Sequence, residues 1–415
     1  MTHRQFDYDY RRFGPRTDPK LPLRNGRLDV SALPPRVAKL MPAVDEAARV
    51  RFTGITTDGR VVPGLFGIED TGWDPGPAVR AAVRLVESLP TLQRKQAVHD
   101  IGADEWRMWT NAFPHWEPHG LNLENVTPQA RLTALDIIEA CMSAGGYDET
   151  RSAMRLNAAL GALIDLYRDT LTEFCYWFTI FGRPSTTEPW GWQLYGHHLD
   201  LNCFILGSQI VLTPTFIGGE PVVADDGPYR GTRLFDRQRA AGLALRRSLS
   251  ADQAETAVLY PSMQLENLPY ELRNPVDGRH KSGAGQDNRV IPYAGVGGAA
   301  LTGLQQDLML TLAGTYAQRL ADPHAAALMR DIERHLDATS FAWIGAAGDK
   351  DPFYYRIHSP VVMIEYDCHQ GVFLDNDQPE PFHVHTIVRT PNGGDYGRDL
   401  LRQHLRRHHR AGTAH

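Results

Sequence analysis

Cysteine is scarce in this chain: Cys141, Cys175, Cys203 and Cys368 are the four in 415 residues, and none stands in a C-x-x-C pair. Such spacing argues against a thiolate zinc site and against a disulfide framework, and it predicts reduced, buried thiols. Positive charge is also short, with 43 Lys and Arg against 49 Asp and Glu for a net charge of −6. Nothing therefore points to a nucleic-acid surface. The opening stretch MTHRQFDYDYRRFG has no apolar core of a secretion signal, and no later run approaches a membrane span. The expectation is a cytoplasmic protein with neither a membrane nor a nucleic acid as partner. The motifs H-E-x-x-H and G-x-S-x-G and the Walker loop are missing. The G-x-G fragments of the polar, Gly-rich stretch 274–298 have no strand–turn–helix frame around them, so they do not make a dinucleotide site.

What is there is an ordinary globular composition, 42% hydrophobic and 22% charged, in a chain long enough to bury a large core. Residues 1–45, rich in Arg, Asp and Pro, read as an arm laid over the body, and 46–410 read as one large domain. Within that domain 51–67 predicts a hairpin about Asp58-Gly59. Residues 75–180 read as helical. One helix over 75–89 buries Val79, Ala82, Val83, Val86 and Leu89, a second is capped by Thr127 and stopped at Gly145-Gly146, and a third runs over about 149–174. The aromatic stretch 106–118, with three tryptophans, suits core filling better than a pocket lining. Residues 188–223 and 340–390 read as β-rich, with helices over 232–338, where Ser250 and Gln253 form a capping box. A closing helix from about Asp395, its N-cap, carries Leu400, Leu401 and Leu405 inward. The expected fold class is α+β, an antiparallel β-rich core wrapped by helices, with a helical N-terminal half.

The chemistry gathers at two histidine pairs. The first lies in WGWQLYGHHLDLNCFILGSQIVLTP, residues 190–214, read as an extended strand through His197 and His198 to Leu206, a turn at Gly207-Ser208 and a return through Ile210. On a regular strand the two imidazoles point to opposite faces, so only one can be a primary ligand. His198, sharing its side with Asp200 and Asn202, is the expected ligand. His197 is expected beside it as a catalytic or supporting group. The second pair is His383 and His385 in PFHVHTIVRT, where alternation puts both on one face with Arg389. Imidazoles two residues apart on a strand can chelate one ion, and a carboxylate would complete a facial triad. Glu365, at the end of the apolar run VVMIE, is the candidate, with Asp367 in reserve. His358 is the expected proton carrier, since its ordinary pKa lies near working pH. Arg389 is the expected anchor for an anionic group.

Several blocks resemble one known family: WGWQLYGHHLDLN followed by LTPTFIGGEP, then FAWIG, FYYRIHSPVVMIEYD, HVHTIVRTPNGGDYG and the closing LLRQH. They are similar to domain of unknown function family 3500, over roughly residues 51–404, with the GHHL and H-x-H segments the specific ones. The resemblance implies one continuous unit and carries no activity with it. Asp200 stands where a small apolar residue is expected after GHHL.

These residues together predict a mononuclear metal-dependent enzyme. His198, Glu365, His383 and His385 would hold a divalent ion, iron(II), manganese or zinc, and a small, anionic substrate would bind beside it. The leaning is to an oxidoreductase, with a hydrolase as the zinc variant. Two other readings stand beside it: a metal-free His/Glu/Arg acid–base lyase or hydrolase, and a non-catalytic small-ligand-binding protein. A homo-oligomer is left open.

Overall fold

Successive side chains on a strand face opposite ways, and in this protein that alternation separates two kinds of chemistry. In the computed structural model, which describes residues 5–16, 23–24, 27–28, 30–32, 39–112, 118–274 and 277–412, eight long strands form the body of a twelve-stranded sheet. They are β1 (Tyr176–Gly182), β2 (Trp190–Gly196), β3 (Leu199–Leu206), β4 (Gln209–Gly219), β5 (Ser340–Gly345), β6 (Phe353–His358), β7 (Met363–His369) and β8 (Glu380–Arg389). Their order across the sheet is β5-β6-β7-β8-β4-β3-β2-β1, each pair antiparallel. Only the short strands Val98–His99, beside β1, and Val258–Tyr260, beside β5, run parallel to their neighbours.

One register row crosses the sheet as Phe178, Leu194, Leu201, Thr215, Val388, Ile364, Ile357 and Phe341. It is almost wholly apolar, and its hydrophobic residues all belong to the main core. The adjacent row points the other way and reads Trp177, Tyr195, Asp200, Phe216, Ile387, Glu365, Arg356 and Ala342. That face is also buried, yet it carries ionisable groups. Trp106, Trp109 and Tyr396 close over part of it, as core-filling aromatics should. Residues 113–117 of that aromatic stretch lie outside the described residues.

Ten helices accompany the sheet among the described residues, so the fold is α+β with helices prominent in the N-terminal half. The signals at Thr127 and at Ser250 with Gln253 act as expected, the latter as a full capping box. Other local readings need correction. The chain bends at Asp58-Gly59, but the flanks do not pair as a hairpin. Their backbone groups are taken by other segments, Thr56 bonding Arg289 and Ile291, and Ile55 accepting from Asn392. The helix over Gly76–Ser88 buries Ala78, Ala81, Ala82 and Leu85, while Val83 is 37% exposed. Gly145 and Gly146 do not stop a helix; they lie in the first turn of Ala144–Ile164, capped by Ser143. A Cβ on Gly146 would stand 2.2 Å from the Arg319 carbonyl oxygen, so the glycine is there for close approach. This helix ends at Asp165 in the left-handed conformation, and β1 follows inside the stretch expected to be helical. Both faces of β1 are buried, so its residues carry no period-two alternation to betray a strand. The run 354–366 is a true reversal through Ser359 and Pro360, giving two strands. Leu405, expected inward, is 48% exposed.

None of the described helices is long and apolar enough to cross a membrane.

The row assignment has a measurable consequence. Leu194→Ala, at 0% exposure in the centre of the apolar row, should cost about 2–5 kcal/mol. Val83→Ala should change unfolding free energy by less than about 0.5 kcal/mol. Denaturant titrations of both variants check the pair, and equal losses would contradict the face assignment.

Candidate metal centre

The adjacent histidines are not on a strand at all. Gly196 pairs with Leu199 across a two-residue connection, so His197 and His198 are the tip of the β2–β3 hairpin. His198 has φ of +61°, a left-handed conformation that costs a non-glycine residue on the order of 1 kcal/mol or more. Bonds from its N–H to the Asn111 carbonyl, at 3.1 Å, and from the Gly218 N–H to its own carbonyl, at 2.7 Å, hold it there. The premise that the two rings must point to opposite faces therefore fails. They stack, with ring centroids 3.9 Å apart. His197 donates from Nδ1 to Asn157 Oδ1 at 2.8 Å and packs against Phe373.

The turn delivers His198 to the pair on β8. His383 Nε2 lies 3.3 Å from His198 Nε2 and 3.1 Å from His385 Nε2, and the ligand nitrogens of all three fall within 4.8 Å of one another. All three rings are buried. Gly218, opposite His385 in the register, makes the room: a Cβ there would stand 3.0 Å from the His385 ring and 3.2 Å from that of His198. His383 donates from Nδ1 to the Gln370 carbonyl at 2.9 Å, which leaves a lone pair on Nε2. Burial, followed by the neighbouring imidazoles, pushes His198 and His385 far below the ordinary histidine pKa, so both are neutral. Three buried imidazoles, His198 and His385 of them neutral, thus bring their nitrogens together.

That spacing fits a common ion. Nitrogens bonded to one metal at about 2.0–2.1 Å stand roughly 2.9 Å apart at a right angle and roughly 3.3 Å apart at a tetrahedral angle. The observed 3.1 and 3.3 Å fall in that range.

The other expected residues are placed differently. Glu365 shares the ionisable face, but its carboxylate accepts from the backbone of Lys281 and Ser282, the Ser282 hydroxyl and Tyr354 at 2.6 Å. Burial alone would raise that carboxyl; His280, Arg356 and these donors outweigh it and hold it low. It is not brought to the three histidines. Asp367, the reserve, is bound by Arg279 through Nε at 2.7 Å and Nη2 at 2.9 Å. Arg389 is wholly buried between Asp287, at 2.6 Å, and Asp395, at 2.9 Å. Two carboxylates therefore already share its charge. Asp395, correspondingly, is that ion-pair partner and not an N-cap. His358 lies opposite Met363, which lies opposite Arg389, six residues along β8 from His383. At about 3.3 Å per residue that is roughly 20 Å away.

Three residues beside the histidines escaped sequence reading. Glu220 sits with Oε2 3.7 Å from His383 Nδ1, its other oxygen accepting from the backbone of Val372, Phe373 and Leu374. Burial pushes its carboxyl up to about 7 against the pull of those three donors. His369 and Gln370 flank the pair, with the His369 ring 4.9 Å from His383 and 4.7 Å from His385. The signal for His369 was available: Glu365, Asp367 and His369 follow one another at period two. Glu220 repeats the cue that singled out Glu365, a charge closing an apolar strand.

The molecule is thus an α+β protein with a buried three-histidine cluster where a hairpin tip meets a neighbouring strand. It belongs to the family described as protein of unknown function (DUF3500), whose model matches residues 75–398. No curated protein and no solved structure matches the chain.

Two outcomes follow from the charge placement. Arg389→Met leaves Asp287 and Asp395 buried without their shared partner and should cost about 3–5 kcal/mol in chemical denaturation, a loss a substrate anchor would not show. Burial lowers His358 to about 3. The unfolded chain then binds the extra proton between pH 6.5 and 3, and stability falls as pH drops through that window. His358→Phe should remove up to about 1.4 kcal/mol per pH unit from that acid slope; an unchanged slope would refute the neutral, buried assignment.

Proposed function

We propose that His198, His383 and His385 hold one divalent transition-metal ion and that the protein is a metal-dependent enzyme acting on a small substrate. The observation that carries this reading is the convergence of three buried Nε2 atoms at 3.1 and 3.3 Å, with the His383 tautomer fixed by Gln370. A bare cluster of buried imidazoles has little reason to bring ring nitrogens together out of reach of water. Nitrogen-only donors suit zinc, iron(II) or manganese. With Glu365 engaged elsewhere, the set lacks the carboxylate of an iron facial triad and matches the three-histidine zinc arrangement. The lean accordingly moves from oxidation to hydrolysis. Such an ion, when bound, supplies Lewis-acid polarisation of a carbonyl or phosphoryl oxygen and a water acidic enough to ionise near neutrality.

The chain's own residues do the rest. Gln370 keeps the His383 proton on Nδ1, the stacked His197 ring fixes the plane of His198, and Gly218 leaves the space in which the nitrogens meet. Glu220, its carboxyl pushed up to about 7, can hold or release a proton beside the cluster at neutral pH. That same carboxyl favours a second reading, a metal-free acid–base site built on Glu220 and His383. An anionic substrate draws less support from Arg389, whose charge two carboxylates already share.

Elemental analysis of tag-free protein separates the two. The metal reading expects one equivalent of a transition metal, lost in His383→Ala and kept in Glu365→Gln. Metal-free protein that takes up no zinc, iron or manganese on titration would end it.

A further inference from the structure

A cavity lies on the apolar side of the sheet, away from the histidines. It has a volume of about 400 Å³, within the usual range for small-ligand sites. Thr215 and Val388, which belong to the apolar row, form its floor. Ile210, Leu212, Leu320 and Leu328 contribute to the apolar wall, and Glu69, Asp331, Arg334 and Asp399 also border the cavity. Two polar groups stand out among that lining. Arg319, 3% exposed, binds Glu149 through Nε at 2.8 Å and Nη2 at 2.9 Å, while its Nη1 has no hydrogen-bond partner among the described residues. His324, also 3% exposed, donates from Nε2 to the Ser208 carbonyl at 3.0 Å, and its Nδ1 has no such partner either.

The guanidinium fork decides what this site wants. Nε and Nη2 share one edge and Nη1 lies on another, so the unmatched N–H groups turn away from Glu149. Arg319 borders both this cavity and a separate depression, whereas Glu149 borders only the latter. The Arg319–Glu149 pair is also electrically balanced, so a carboxylate at the buried Nη1 would meet no net positive charge from it. A neutral oxygen acceptor would satisfy Nη1 without requiring one. The unfilled donor and the apolar part of the lining therefore call for a guest with an acceptor oxygen.

We propose that this cavity binds an uncharged, largely apolar molecule bearing a carbonyl oxygen, a ketone or an ester, with that oxygen accepting from Arg319 Nη1. The site is separate from the three histidines, which lie on the opposite face of the sheet, and it stands whether or not they hold a metal.

Calorimetric titration with 2-acetonaphthone, a neutral ketone, and with 2-naphthoate, a carboxylate of similar shape, tests the proposal on the full chain. The ketone should bind at one site, more tightly than the carboxylate. Ala327→Trp, which puts an indole into the cavity from the helix Asp322–Arg334, should weaken the ketone by tenfold or more. Glu149→Gln removes the balancing charge and should reverse the preference toward 2-naphthoate, a result that does not depend on the tryptophan variant folding. Thermal melts report whether each variant is folded. No saturable ketone binding, ketone binding unaffected by a folded Ala327→Trp, or tighter binding of the carboxylate by the unaltered protein would overturn it.

Discussion

Compensation of buried charge is the constraint on which this structure rests. A sheet with both faces covered ordinarily carries apolar residues on both. Here one face holds Asp200, Arg356, Glu365, Asp367, His383, His385 and Arg389 out of water. Leaving any of these unpaired would cost several kcal/mol. The segment 277–289 supplies much of the matching: Arg279 for Asp367, the Lys281 and Ser282 N–H groups for Glu365, and Asp287 for Arg389 and Arg107. Gly278, at φ of +57°, lets the backbone come that close, since a Cβ there would meet Asp367 Oδ2 at 2.1 Å. The Gly-rich stretch that looks featureless in sequence is the electrostatic counterpart of the sheet.

Against that background the three histidines are distinctive. Glu365, Asp367 and Arg389 pair with the covering segment, and Asp200 accepts from Asn202. His198, His383 and His385 instead face one another, and His385 Nδ1 has no partner among the described residues. Two of them ride on a rigid strand, and the third is held by a strained turn with its backbone bonded on both sides. A site assembled this way is stiff, which suits ligand geometry more than it suits a mobile acid or base.

The residue types of the cluster were legible because period two is a strong rule: His383 and His385 had to share a face, and the antiparallel core followed from the same alternation. The position of His198 was not legible. Nothing local says that a two-residue reversal falls on the histidines themselves, because glycine, not histidine, usually takes the left-handed position. Glu365 and Arg389 show a different limit. Sequence flags a buried charge, but its partner here comes from a loop or from a residue distant in the chain, and only the folded contacts say whether the charge is spent. The strand β1 was hidden for a third reason, since burial on both sides erases the polar half of the pattern.

The sheet order carries one more consequence. β4 and β8 are neighbours in space, yet most of two hundred residues separate the hairpin tip from the H-x-H strand. Closing so long a loop is slow and entropically costly compared with forming either hairpin alone. During synthesis the imidazole of the middle hairpin must wait, with its turn already made, until the last long strand leaves the ribosome and docks. Completion of the cluster would therefore report that the two halves of the chain have joined.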